Sequence, residues 1–214
     1  KGDFAFEGSL ALHAAEIRGF NNGGETVGIT ATNLLLDNSA NGSVVGVPGA
    51  MTGALSLTAD TITIGQNALV VSHYATVTLN ASGGANSGGI VMQGSGSFRA
   101  QGALNAVTPF FSAGSNAAQT LAAGGALTLT KPAGEQASPT VLGLGAQVSF
   151  EGASVTAATD ILLPSGLISL RALTGDVNVS GRLDAGGVAQ RFFDTVRHTD
   201  AGQVTLTSVG GNVN

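Results

Sequence analysis

The densest group of chemically capable side chains lies in one stretch, Gln190-Arg-Phe-Phe-Asp-Thr-Val-Arg-His-Thr-Asp200. Asp194, Arg197, His198 and Asp200 fall close together there, with Arg191, Phe192 and Phe193 just ahead of them. Carboxylates beside a cationic or imidazole partner are the groups that acid–base cleavage of a polysaccharide uses. Asp176 and Asp184 could join them if the stretch folds back. The competing reading is a solvated polar loop, because charges collect in loops when the packed part of a chain has no room for them. The loop reading is preferred, since the chain has 13 acidic residues and no second dense polar cluster. It leaves Arg191, Phe192, Phe193, Asp194, Arg197, His198 and Asp200 as a recognition loop. Aromatic and arginine side chains are the usual anchors of such a contact, here to a glycan or a host protein.

Other chemistry is thin. His13 and His73 are isolated, whereas a metal centre needs several ligands converging. The absence of cysteine removes thiolate sites and disulfides. No Gly-Lys-Ser/Thr phosphate loop, calcium-binding nonapeptide or Gly-x-Ser-x-Gly elbow occurs. The expectation is a non-enzymatic chain without metal or cofactor.

The composition points to what must position the loop. Glycine is frequent, at 33 residues, only 10% of residues are charged, and 43% are hydrophobic. Disorder calls for the opposite balance. A net charge of −5, with lysine only at Lys1 and Lys131, argues against nucleic acid and against a basic membrane-surface patch. No run approaches the length of a membrane-spanning helix. No signal peptide opens the chain, so the expectation is an excerpt of something longer.

Helix signals are missing, and period-two alternation recurs instead, as in Leu55-Ser-Leu-Thr58, Val77-Thr-Leu79, Leu127-Thr-Leu129 and Val204-Thr-Leu206. These short runs are bounded by Gly, Asn, Asp or Ser. They also repeat as a unit. The set Leu10, Leu12, Ala14, Ile17 returns as Val27, Ile29, Ala31, Leu34, Leu36 and again as Leu55, Leu57, Ala59, Ile62, Ile64. Residues 166–178 align with 202–214 without a gap, Gly166 on Gly202 and Val177 on Val213. Fixed internal patterns at variable spacing are the signature of stacked coils carrying insertions. Two-residue hairpin turns are scarce, since Asn-Gly occurs only at Asn22-Gly23 and Asn41-Gly42 and Asp-Gly never occurs. A left-handed β-helix fits once, at Ile64 to Leu69, and does not recur. A membrane barrel calls for aromatic girdles, against 5% aromatics here. Two stretches interrupt the pattern, about 101–125 and 186–200, each with a Phe pair: Phe110-Phe111 and Phe192-Phe193. Both are expected to leave the coil and pack back onto its wall through those rings.

The run from Ser165 to Gly187, with Ile168-Ser-Leu-Arg-Ala172, Gly175-Asp-Val-Asn-Val179 and Leu183-Asp-Ala185, resembles the repeats of filamentous haemagglutinin-like exoproteins. So does Asp200 to Val213. The resemblance is clearest over 160–214 and looser between 85 and 150. It implies a right-handed parallel β-helix, export by a two-partner system through an outer-membrane transporter barrel, and a role in adhesion. The chain lacks the Asn-Pro-Asn-Gly-type phrases of that family's secretion domain, which places it in the downstream shaft. No functional residue carries over. The resulting expectation is an all-β, single-stranded right-handed parallel β-helix over 1–214. It would form a shaft segment of a secreted adhesin at the surface of a Gram-negative bacterium, prone to end-to-end self-association. A carbohydrate-active enzyme is the least favoured alternative.

Overall fold

The computed structural model describes residues 2–46, 49–82, 88–135 and 138–214, with the backbone alone for Gln190 and Phe192. Among them every regular element is a β-strand. The strands follow one another in rungs. The first rung is β1 (Gly2–Ala5), β2 (Ser9–His13) and β3 (Glu16–Arg18). The second is the long β4 (Thr26–Asp37), and the third is β5 (Ala54–Ile64) with β6 (Asn67–Ser72). Then come β7 (Thr76–Asn80), β8 (Gly89–Met92) and β9 (Ser95–Ala100), followed by β10 (Ala103–Val107), β11 (Phe110–Ala113) and β12 (Ala118–Ala123). The sixth rung is β13 (Leu127–Thr130) and β14 (Gln147–Gly152), and the seventh is β15 (Val155–Ala158), β16 (Asp160–Leu162) and β17 (Leu167–Ala172). The last rung is β18 (Val177–Val179), β19 (Leu183–Asp184) and β22 (Gln203–Ser208), interrupted by a hairpin of β20 (Ala189–Phe192) and β21 (Thr195–His198).

Rung lies on rung in three columns, and every strand pairing except that of the hairpin is parallel. The first two columns form one curled 13-stranded sheet, because β4 and β5 each run through both. The third column is a separate sheet of 7 strands, β22-β17-β14-β12-β9-β6-β3. At a strand spacing of about 4.8 Å this sheet stands roughly 30 Å tall.

The alternation read from the sequence sets which side chains face in. In the first column Val27, Leu55, Val77, Leu104, Leu127, Val155 and Val177 stack one above another. One residue along, Ser56, Thr78, Asn105, Thr128, Thr156 and Asn178 make the matching polar ladder on the outside. In the third column the inward stack is Leu69, Phe98, Leu121, Phe150, Leu170 and Leu206. Nearly all of these inward residues are fully buried, and they belong to one continuous core. Period-two alternation thus builds an apolar interior and a hydroxyl-rich wall from the same strands.

Corners are set by backbone conformation. Asn116, Gly145 and Ser165 occupy equivalent corner positions before successive strands of the third column, with φ of 55°, 72° and 55°. Glycine adopts this left-handed region without penalty, and asparagine tolerates it well.

Rungs are not all complete. β3 pairs directly with β6, so the second rung contributes nothing to the third column, and the chain leaves over 38–53. β11 pairs directly with β16, so the sixth rung skips the second column and leaves over 131–146. Lys131 tethers the start of that departure, its Nζ donating to Asp160 Oδ2 at 2.9 Å. At this level Phe111 and Phe150 meet edge to face across the interior, with centroids 5.1 Å apart and planes at 79°.

Several expectations are corrected by these pairings. Residues 101–125 are no excursion. They are the fifth rung, and Phe110 and Phe111 are buried within its second strand. Their small residues mark tight corners, since a Cβ on Gly102 or Gly124 would lie 2.2 Å and 2.1 Å from the carbonyl oxygens of Ala75 and Gln101 in the rung beneath. Among the described residues the departures are those that begin after Asp37 and after Thr130 and the stretch 186–202 around the hairpin, of which the sequence identified only the last. Pro132, Pro139 and the pair Asn41-Gly42 lie in the first two, and these were the available signal. The repeat register holds for Val27 to Leu36 upon Leu55 to Ile64, and for 166–177 beneath 202–213. It fails for the first copy: Leu10 and Leu12 pair with Leu34 and Leu36, and Phe4 takes the place beside Ile29. Leu10, Leu12 and the strand after them look alike as sequence, and only the corner between β1 and β2 fixes which column they occupy.

Candidate functional site

The hairpin leaves the last rung at the corner between the second and third columns. Its base is closed by backbone and hydroxyl bonds. Thr199 N donates to Val188 O at 2.9 Å, Val188 N donates to Thr199 Oγ1 at 2.8 Å, and Gly202 N donates to Ala185 O at 2.7 Å. Ser165 Oγ and Thr199 Oγ1 lie 2.6 Å apart, tying the base to the corner of the rung below. Above this base the strands pair in antiparallel register, Ala189 with His198 and Phe192 with Thr195.

The return leg of the 131–146 departure arrives at the same corner two rungs earlier. Gly143 N donates to Ala113 O at 2.7 Å, and Leu144 O accepts from Asn116 N at 3.0 Å. Hairpin and return leg therefore face one another across Pro164. Between them lies a half-open cleft of about 410 Å³ lined by Leu142, Leu144, Pro164, Val188, Arg197, His198 and Thr199. The floor is aliphatic, and Arg197 and His198 supply its polar edge.

Of the residues singled out in the sequence, Arg197 and His198 line this cleft. Arg191 is spent on the turn, its Nε donating to Phe193 O at 2.9 Å. Phe193 is at the hairpin tip with φ of 53° and is 98% exposed, so it does not pack the loop onto the wall as its type suggested. The Phe192 side chain lies outside the described residues. Asp194 and Asp200 are exposed, and Asp194 Oδ1 accepts from the Thr195 hydroxyl at 3.4 Å. Asp184 accepts from Arg182 and, through Oδ1, from Gly186 N at 2.9 Å. Asp176 accepts from Asn212 N at 2.7 Å. These two carboxylates are thus engaged in corners and do not join Asp194 and Asp200. Among the described residues no group of three or more His, Asp or Glu is placed to hold a metal.

A second constellation escaped the sequence reading. His13 and Asp37 are direct neighbours in parallel register at the ends of β2 and β4, and His13 Nδ1 lies 2.6 Å from Asp37 Oδ1. The Ser39 hydroxyl lies 3.1 Å from the same ring nitrogen, and Ser39 N donates to Asp37 Oδ1 at 3.0 Å. Serine, histidine and aspartate meet here, but not as a proton relay, which requires nucleophile and carboxylate on opposite nitrogens of the ring. The cluster instead pins the exit of the 38–53 departure. Asn38 helps, giving Nδ2 to Gly42 O and Ala68 O and accepting Gly42 N. The separation of 24 residues between His13 and Asp37 hid the pair, because only strand register brings them together.

Burial alone raises the pKa of the Asp37 carboxyl, but the hydrogen bond from His13 and those from the Ser39 amide and hydroxyl outweigh it and hold the pKa below the ordinary 3.8. A carboxylate with a lowered native pKa contributes stability that is present above the unfolded value and is lost as pH falls through the native one. Thermal melting across the acid range should therefore show a loss of stability beginning below pH 3.8. Asp37→Asn should reduce that acid-dependent component. Identical acid limbs for the two proteins would contradict this assignment.

A further cleft, of about 510 Å³, opens near the first rung beside Arg18, Phe20, Asn21, Asn22, Ala50 and His73. Asn22 is already committed there, accepting from Thr52 Oγ1 at 2.7 Å and donating to Thr52 O at 2.6 Å. Among the described residues no helix is long and apolar enough to cross a membrane. Comparison with protein-family models, with curated proteins and with solved structures finds no match to this chain, so its site is characterised by the geometry above.

Proposed function

We propose that this chain is a segment of a right-handed parallel β-helical shaft, part of a secreted adhesin on the surface of a Gram-negative bacterium, and that it serves to project and display other regions. The observation that carries the reading is the unbroken parallel register of the third column, from β3 to β22. Inward residues of one rung lie on inward residues of the next, so each rung is a template for another, and length is gained without a new core. The resemblance of 165–187 and 200–213 to filamentous haemagglutinin-like repeats supplies the cellular setting. On that setting the chain crosses the outer membrane through a partner transporter barrel. The reading has no catalytic step.

Open strand edges at β22 and at β1 also favour stacking of one isolated polypeptide upon another, which sedimentation would register as a mass rising with concentration. The direct test of a shaft is whether it keeps its ends apart. The chain has no cysteine, so Ser9→Cys and Thr207→Cys give a uniquely labelled pair on exposed positions of the first and last rungs. Single-molecule energy transfer should give one narrow distance distribution, unchanged when residues 188–200 are replaced by a short Gly-Ser linker. A broad or multimodal distribution describes a chain too pliant to project anything and would overturn the reading.

A further inference from the structure

The cleft between the hairpin and the 142–144 leg has a composition that the shaft does not require. Its walls are Leu142, Leu144, Pro164 and Val188, and its edge carries Arg197 and His198. Leu142 is 47% exposed, at the end of a leg held by its backbone. The ion pairs among the described residues are His13–Asp37, Lys131–Asp160 and Arg182–Asp184, and Arg197 takes part in none of them. The Arg197 side chain also makes no hydrogen bond to a described residue, in contrast to that of Arg191 on the paired strand. Arg197 brings a permanently charged guanidinium to the edge of an aliphatic cleft that no carboxylate lines, in a chain of net charge −5. A volume near 410 Å³ falls within the range of small-molecule sites.

We propose that this cleft binds a medium-chain aliphatic carboxylate, with the hydrocarbon lying on Leu142, Leu144, Pro164 and Val188 and the carboxylate meeting Arg197. Each half of that ligand answers one half of the cleft. The aliphatic floor offers no hydrogen bonds and rewards displacement of water by hydrocarbon. The guanidinium presents paired donors whose geometry matches a carboxylate. His198 adds a ring nitrogen at the same edge, and Thr199 is already used in closing the hairpin base, so it does not compete for the ligand. A membrane surface is a poorer fit, because the chain has only 8 basic residues and this edge carries them singly. The inference does not depend on the shaft reading, since it concerns one corner whatever the rod does.

The test is calorimetric titration of the whole 214-residue chain with decanoate and, separately, with decanol, both below the concentration at which decanoate forms micelles. Decanoate should saturate with one site and bind about ten-fold more tightly than decanol, the usual size of a charge-assisted contact. Arg197→Gln should abolish that difference while leaving decanol binding as it was. Leu142→Asp, at a half-exposed position, should weaken both ligands, and unchanged thermal melting of each variant confirms that the fold is intact. Equal binding of decanoate and decanol, an unchanged decanoate affinity in Arg197→Gln, or no saturation at all would overturn the proposal. Retention of the chain on phosphatidylglycerol vesicles, with no binding of free decanoate, would assign the corner to a membrane instead and would also overturn it.

Discussion

Phe150→Ala should cost about 3–5 kcal/mol of unfolding free energy, read by urea denaturation. Phe150 is fully buried on the inward side of β14 and meets Phe111 edge to face at 5.1 Å. Its neighbours along the column are Leu121 and Leu170, one rung to either side. The second column skips a rung at this level, so no strand side chain of the sixth rung fills the interior from that side. Truncation removes the ring that occupies the gap and leaves a void that parallel rungs, held by their backbone ladders, cannot close by collapsing. The control is Phe193→Ala. That ring stands in solvent, and its removal should change stability by no more than about 0.5 kcal/mol. A Phe150→Ala protein as stable as the Phe193→Ala protein would mean that the core is not packed as described.

Gly202→Ala should destabilise the last rung by about 1–3 kcal/mol, the usual range for an overpacked site. A Cβ at this position would lie 1.8 Å from Gly166 O, in the rung beneath. That oxygen accepts the Gln203 amide at 2.8 Å, so the clash falls on the bond that starts β22 along β17. Backbone cannot move aside as a side chain can, and Gly202 N is meanwhile bound to Ala185 O. The effect should be local. Hydrogen exchange should quicken at Gln203–Ser208 and stay slow at Ser95–Ala100. Gly46→Ala is the matched control, since nothing lies within 4 Å of its added carbon. Uniform quickening through all rungs, or none, would show that the last rung is not a separable unit.

Much of the architecture was legible because it rests on short-range pattern. Alternation along Leu55-Ser-Leu-Thr58 names the buried side, and a repeat such as Gly166 to Val177 upon Gly202 to Val213 names its partner, since stacked rungs place like upon like. The hairpin was legible for the opposite reason: its charges had no place in an interior. The 101–125 stretch was misread because a Phe pair and a run of small residues look irregular as sequence. In the structure Phe110 and Phe111 are strand residues, and the small ones are corners where rung meets rung.

The sequence by itself determined the strands, their buried faces, the scarcity of hairpins and the one polar loop, because each follows from residue type and spacing within a few positions. Only the tertiary structure decided which column each strand joins, that the second and sixth rungs are incomplete, and that His13 meets Asp37. It alone decided that Leu142 and Leu144 face Arg197 across a cleft. Those relations depend on how far the chain travels before it returns to a given corner. An insertion of any length can return to the same place, so spacing along the chain carries no record of it.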